Sequence, residues 1–320
     1  MALPVFYSAR YHIDIGLHVF PTQKYRLVHD SVLALPGAAE GSIEIHEPGP
    51  ASWDDLALVH TTEYLGKLHD GTMTDADVAQ LELPWSAEMV EGFRVMVGGT
   101  IQAALRACSA PGGLTVHIGG GLHHGFANHG EGFCPFNDVA VAVRVVQERG
   151  VERAAIVDLD VHHGNGTAFI FERDPRVFTF SMHQQLNYPM WKPKGSLDIG
   201  LPDGARDATY LAALENALPT VMASAPGCVF YLAGADPYED DQLGGLRLTM
   251  DGLRRRDRMV IDAVRHAHVP LVIVLAGGYA RRVEDTVAIH VATIAEAVDS
   301  VTKSPKSEER QPRKHESTKP

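Results

Sequence analysis

The sequence predicts an α/β fold: a single domain with a central parallel sheet flanked by helices. Three observations carry that prediction. Short apolar runs recur along the chain, stretches of helical periodicity lie between them, and several runs end in segments rich in Gly, His and Asp. Apolar runs that are continuous rather than alternating suit strands covered on both faces. Strands that alternate with helices indicate a doubly wound sheet. Ligands in such sheets bind beyond the carboxyl ends of the strands, so the polar run-outs mark a candidate site.

In chain order, strands are predicted at Val5–Tyr7, Leu114–Ile118, Ala154–Leu159, Val177–Phe180, Cys228–Leu232 and Leu271–Leu275. Each is a short apolar run of strand length. Helices are predicted at Ala87–Ala107, Asn137–Gln147, Asp207–Leu218, Thr249–His268 and Val283–Val301, where apolar residues fall near helical spacing. No repeat or linker divides residues 1–302, which are read as one catalytic domain. Residues 303–320 (KSPKSEERQPRKHESTKP) hold no large apolar side chain. Such a segment cannot offset its own ordering entropy, and a disordered basic tail is expected there.

Composition narrows the function classes. The chain has 320 residues, 28 Lys+Arg against 40 Asp+Glu, and a formal net charge of −12. That balance argues against direct nucleic-acid binding, which needs excess cationic side chains. Three cysteines (108, 134 and 228) without paired spacing exclude a disulfide scaffold or a Cys-rich zinc module. The start, MALPVFYSAR, lacks the pattern of a signal peptide, and no run approaches the roughly 20 apolar residues of a membrane span. A cytoplasmic protein without membrane contact is expected. The unusual count is 17 histidines.

The chemistry collects where the predicted strands end. The run at 114–118 leads into a loop with His123-His124, that at 154–159 into DLDVHHGNG, and that at 177–180 into SMHQ. The runs at 228–232 and 271–275 lead into AGADPYEDD and AGGYA. On extended backbone, Asp158, Asp160 and His162 project to one side. Two carboxylates and an imidazole so placed call for a cation, and oxygen plus nitrogen donors suit zinc or a related divalent ion. An isolated pair of aspartates could instead cap the following helix; the neighbouring GGGLHH and GAD favour a metal. A neutral histidine among His123 and His124 can move a proton to and from a metal-activated water. Tyr279, after two glycines, can offer a phenol donor to an oxyanion, although GGY alone is also a common packed turn. The lone histidines, His60 and His290 among them, are read as structural, as is His117 within its strand.

Taken together, these residues resemble the histone deacetylase superfamily of zinc amidohydrolases, with the arginase–deacetylase fold, over about residues 5 to 300. The motifs are PTQKYRLV, VHTTEYL, LPWSAEMV, GGGLHHGFANHGEGFCPFND, VDLDVHHGNG, TFSMH, LDIGLPDG, AGADPYEDDQLGGLRLT and LAGGYA. They look most like the class IV branch and its relatives. The resemblance implies Asp160, His162 and Asp236 as ligands of one zinc ion. It implies His124 as general base and acid, His123 as electrostatic support, Asp158 as the group that orients His123, and Tyr279 as the transition-state tyrosine. It places Gly132 and Phe133, with Tyr188 opposite, along an acyl-lysine tunnel. It also implies a structural potassium ion held by Asp158, Asp160, His162, Ser181 and Met182. Many relatives carry Asp where this chain has Asn165, which leaves His124 less firmly anchored. The acidic residue that grips the substrate backbone in class I enzymes has no evident counterpart before the tandem histidines.

The activity implied is hydrolysis of an acyl group, acetyl or longer, from lysine side chains of proteins. Three other readings stand beside it. An acetylpolyamine or other small-amine hydrolase shares the fold, but this chain shows no long insertion to restrict its tunnel. A binuclear manganese ureohydrolase expects DxHxD, whereas residues 158–162 read DxDxH with Gly164 following. A binding module without turnover should lack one of His123, His124 and Tyr279. Oligomeric state is left open.

Overall fold

In the computed structural model, residues 2–35 and 41–302 are described; the tail expected over 303–320 lies outside them. Eight strands form one parallel sheet: β1 (Leu3–Phe6), β2 (Ile43–His46), β3 (Leu114–His117), β4 (Ala154–Asp158), β5 (Val177–Gln184), β6 (Leu197–Leu201), β7 (Cys228–Leu232) and β8 (Leu271–Val274). Their order is β2-β1-β3-β8-β7-β4-β5-β6. The strands whose ends carry the polar segments, β3, β8, β7, β4 and β5, are therefore consecutive neighbours in space. Five sequence segments spread over about half the chain become one edge of the sheet.

Every residue of β1, β3, β4, β7 and β8 is buried, which explains their unbroken apolar runs. The two strands not predicted, β2 (IEIH) and β6 (LDIGL), lie at the sheet edges and bury alternate residues only in part. A half-covered edge needs no continuous apolar run, and so leaves none to find. β5 continues four residues past its predicted end because its backbone pairs with β6 as far as Gln184 and Leu201, and Ser181 Oγ meets His183 Nδ1 at 3.0 Å along it.

Ten helices are described: α1 (Lys24–Leu33), α2 (Trp53–Ala57), α3 (Thr62–Asp70), α4 (Asp75–Leu81), α5 (Ala87–Ala107), α6 (Asp138–Glu148), α7 (Asn165–Phe171), α8 (Asp207–Ala223), α9 (Met250–His266) and α10 (Val283–Thr302). The five long helices predicted are present. Contacts run from α5 through α6 to α7 in one group and from α8 through α9 and α10 to α1 in the other. α8 passes through Pro219 instead of stopping at Leu218. Glu215, whose carbonyl loses its partner there, and Pro219 itself both lie on the exposed side, where water replaces the lost bond. The short helices α2 and α4 begin with reciprocal capping boxes, Ser52 with Asp55 and Thr74 with Asp77.

A buried ion pair fixes the functional end of the sheet. Arg256 on α9 is fully buried and donates from Nη1 to the carbonyl of Gly234 at 2.6 Å and from Nε to Asp257 Oδ1 at 2.9 Å. Asp257 also accepts from Tyr231 of β7 and Thr293 of α10, at 2.5 and 2.6 Å. With its partners in place, this charge clamps the loop that follows β7, just before Asp236.

Candidate active site

The loops leaving β3, β4, β7 and β8 meet at one cavity. It is lined by His123, His124, Asp160, His162 and Tyr279 at its base, with Gly132, Phe133 and Tyr188 along its walls. Asp160, His162 and Asp236 are buried, and one donor atom of each lies within 4.8 Å of the others. His162 Nδ1 stands 3.0 Å from Asp160 Oδ1 and 3.5 Å from Asp236 Oδ2. Asp236 Oδ1 accepts the Val161 N–H at 2.9 Å, while Oδ2 has no hydrogen-bond partner among the described residues.

The charges in this group call for a cation. Burial and the neighbouring Asp160 push the Asp236 carboxyl up to about 7. Burial alone would lower His162, but its hydrogen bond to Asp160 and the nearby Asp236 carboxylate raise it to about 10. An orphaned buried carboxylate oxygen beside a second carboxylate and an imidazole is an oxygen and nitrogen donor set, and it fits a divalent ion. A bound ion also favours the deprotonated ligands, replacing the proton on His162 as counter-charge.

Gly277 makes this convergence possible. Its N–H donates to Asp160 Oδ2 at 2.9 Å, and a Cβ there would lie 2.0 Å from Asp236 Oδ2 and 2.5 Å from Asp160 Oδ2. No other residue type lets the backbone pass so close beneath both carboxylates.

The tandem histidines differ in their partners. His123 Nδ1 faces Asp158 Oδ2 at 2.7 Å; burial would lower its pKa, but Asp158 and Asp160 raise it to about 9. His124 Nδ1 faces Asn165 Oδ1 at 2.6 Å, and burial together with the adjacent His123 and His162 holds it well below the usual histidine range. His124 is therefore neutral at pH 7. Its ring meets Tyr188 edge-on at 4.9 Å.

Tyr279 is anchored by its backbone, its N–H donating to Asp241 Oδ2 at 2.7 Å and its carbonyl accepting from Gln242. Burial, with Asp160 and Asp236 nearby, holds the phenol well above its usual pKa, so it remains an O–H donor. Lys24 supports this corner from within. Its fully buried ammonium donates to the Ala276 carbonyl at 3.0 Å and lies 5.4–5.5 Å from the rings of Phe20, Tyr25 and Tyr279. Burial lowers it to about 8.

Asp158 and Ser181 face each other in register across β4 and β5, with Met182 next along the strand. Three of the five residues that the resemblance implies for a potassium ion are thus adjacent in the sheet. Sequence reasoning missed two acidic residues. Glu82, in the LELPWS segment, lines the cavity, and so supplies an acidic group ahead of the tandem histidines where none was expected. Glu131, in the GEGFC segment, accepts from Asn165 and Tyr188 together. His60 and His117, read as structural, are buried away from the cavity with backbone or hydroxyl partners.

Comparison with known proteins agrees with this geometry. The family model described as "Histone deacetylase domain" matches residues 18–294. An uncharacterized protein of Picosynechococcus sp. is 42% identical over 91% of this chain and 96% of its own length. The histone deacetylase-like amidohydrolase of Pseudomonas aeruginosa is 34% identical over 81% of this chain and 71% of its own. Histone deacetylase 2 of Arabidopsis thaliana is 32% identical, covering 86% and 74%. Among solved structures, the HDA15 HD domain superposes with a TM-score of 0.75 over 93% of this chain and 92% of its own; at 24% identity it speaks for the fold alone. The family match over most of the chain, and relatives of this identity and coverage, place the protein in the histone deacetylase family, as a hydrolase acting on amides.

Proposed function

We propose that the protein is a zinc-dependent amidohydrolase that removes acyl groups from lysine side chains of proteins. One observation carries the reading: a neutral histidine and a phenol donor line a single cavity together with Asp160 and His162, which with the adjacent Asp236 form a donor set for one divalent ion. Zinc held by Asp160, His162 and Asp236 would supply a Lewis acid that polarises the amide carbonyl and acidifies water. Potassium beside it, near Asp158, Asp160, His162, Ser181 and Met182, would have a structural role.

The chain's own groups do the rest. His124 takes the proton of the attacking water and returns it to the departing amine. His123, held by Asp158, keeps positive charge beside the reacting centre. Tyr279 donates its O–H to the carbonyl oxygen as negative charge develops there. Phe133, Gly132 and Tyr188 enclose the aliphatic chain of the lysine and exclude water from it. Glu82 at the cavity places negative charge where a cationic substrate would approach. Among the described residues no helix is long and apolar enough to cross a membrane, and a cytoplasmic setting is part of the proposal.

The test is turnover on matched acetyl-, butyryl- and myristoyl-lysine peptides and on acetylpolyamines, with and without chelator. Chelator-sensitive hydrolysis of the peptides, restored by zinc, is the expected result. Turnover confined to acetylpolyamines would move the assignment to small amines. Absence of chelator-sensitive turnover on every member would overturn it.

A further inference from the structure

The carboxylate of Glu131 lies behind Asn165 and the cavity-lining Tyr188, and bonds none of Asp160, His162 and Asp236. We propose that Glu131 is a positioning residue: through the Asn165 amide it fixes which ring nitrogen of His124 carries the proton, and through Tyr188 it holds the tunnel wall against the same ring. This rests on the reading of His124 as the base.

The end of an amide side chain is ambiguous in hydrogen bonding. His124 Nδ1 lies 2.6 Å from the end of the Asn165 side chain. An amide can present its oxygen, and take a proton from Nδ1–H, or its nitrogen, and give a proton to a bare Nδ1. The first choice leaves Nε2 free to accept a proton; the second puts a hydrogen on Nε2 and disables it as a base. An aspartate would decide the matter alone, because both of its oxygens accept. Asparagine decides it only if something behind it binds one end selectively.

Glu131 does so. Its Oε1 stands 2.6 Å from Asn165 Nδ2, and an ionised carboxylate accepts only, so the nitrogen end is held there and the oxygen end is turned to His124. Its pKa agrees with this: burial would raise it, but donors on His129, Asn165, Tyr188 and Gln80 bring it below the usual glutamate range. The same Oε1 accepts from Tyr188 Oη at 2.8 Å, and Oε2 lies 3.4 Å from Gln80 Nε2 and 3.5 Å from His129 Nε2. The Glu131 side chain is 18% exposed, and Asn165 is buried, its backbone N–H bound to the His163 carbonyl at 2.8 Å. Both links are therefore held from outside the site. Gly132, which follows Glu131 at φ +52°, turns the chain so tightly that a Cβ there would lie 2.7 Å from His124 Cδ2. Loop, carboxylate and imidazole are thus packed as a unit.

The test is a mutational cycle on the full chain loaded with zinc. Releasing one charge-assisted hydrogen bond from the amide is worth about 10–100-fold in population, so Glu131→Ala should lower kcat by about that factor. KM should rise less, through the loosened Tyr188. Glu131→Gln, whose amide can turn either end to Asn165, should fall between wild type and Glu131→Ala. Asn165→Asp should reverse sign. In the wild-type background it sets two carboxylates about 2.6 Å apart and lowers kcat; with Glu131→Ala it presents an acceptor in either orientation and restores kcat. If Glu131→Ala does not fold, Glu131→Met keeps the length without the acceptor.

The second readout needs no turnover: nitrogen-15 NMR of the imidazoles, with His124 assigned by its substitution. Wild type should show a single tautomer with hydrogen on Nδ1, and Glu131→Ala or Glu131→Met a mixture or the other tautomer. An unchanged tautomer in those variants, or the same sign for Asn165→Asp in both backgrounds, would overturn the proposal. A wild-type protein inactive on every acylated amine would instead count against the proposed function, and the NMR result would still decide the role of Glu131.

Discussion

Replacing Gly277 by alanine adds one carbon directly beneath the two carboxylates assigned to the metal. That carbon would stand 2.0 Å from Asp236 Oδ2 and 2.5 Å from Asp160 Oδ2, where separations under 3.0 Å are essentially never found. One oxygen must therefore retreat by about 1 Å and the other by about half of that. Neither can swing away freely. Asp236 is tied at Oδ1 to the Val161 N–H and Asp160 at Oδ2 to the Gly277 N–H, both at 2.9 Å. Ligand distances in a metal site are held to about ±0.2 Å, so displacements of this size remove ligands rather than adjust them. Outer residues that merely orient a ligand are worth about 10–100-fold in metal affinity. Gly277→Ala should accordingly weaken zinc by more than about 100-fold, measured by competition with a chromophoric chelator. The overpacking itself should cost about 1–3 kcal/mol, so the metal-free variant still folds, which circular dichroism and thermal melting would verify. Stoichiometric zinc bound within threefold of wild-type affinity would refute the reasoning, since the carboxylates could not then be where the ion is held.

Tyr279→Phe removes a single donor from the cavity and should lower kcat by about 10²–10³ with little change in KM, read from steady-state kinetics on an acetyl-lysine peptide; near-normal turnover would remove Tyr279 from the mechanism. His60 gives a pH dependence of stability unrelated to the site. Its Nε2 accepts the Asn137 N–H at 3.1 Å, and burial lowers its pKa to about 4. Since an unfolded histidine titrates near 6.5, the unfolded chain binds the extra proton between about pH 6.5 and 4. This contribution is fully present above pH 6.5 and falls by up to about 1.4 kcal/mol per pH unit as the pH drops toward 4. Urea midpoints at pH 7, 6 and 5 should show that slope reduced in His60→Gln; parallel curves for the two proteins would contradict it.

The central sheet was legible in the sequence because full burial leaves a continuous apolar run, as at CVFYL and LVIV. The edges β2 and β6 were not, because a strand half-covered by protein has no such signature. The candidate metal donors and the tandem histidines were legible for a related reason. They sit within a few residues of those central strands, so sequence proximity to a strand end is spatial proximity to the site. Glu131 and Lys24 have no such relation to a strand. Glu131 matters through Asn165 and Tyr188, which are 34 and 57 residues away, and no local pattern signals that meeting. Lys24 lies in a polar stretch that suggests an exposed side chain, and is buried because a carbonyl and three rings receive it.

The histidines show what residue type alone leaves undecided. Seventeen are present, and their partners sort them. His117 meets only hydroxyls, Thr100 at 2.9 Å and Tyr11 at 2.8 Å, and burial lowers its pKa to about 3, so it remains a neutral structural link. His123 and His162 meet carboxylates and are raised to about 9 and 10. His124 belongs to neither group. It is buried and neutral like His117, yet it lines the cavity, and its partner is an amide whose far end is bound by a carboxylate. The role proposed for it requires a base that is neutral before the reaction and tolerates a proton during it. A hydroxyl would offer the charged form little support. An amide backed by Glu131 offers Nδ1 a fixed acceptor without setting a carboxylate directly against the ring.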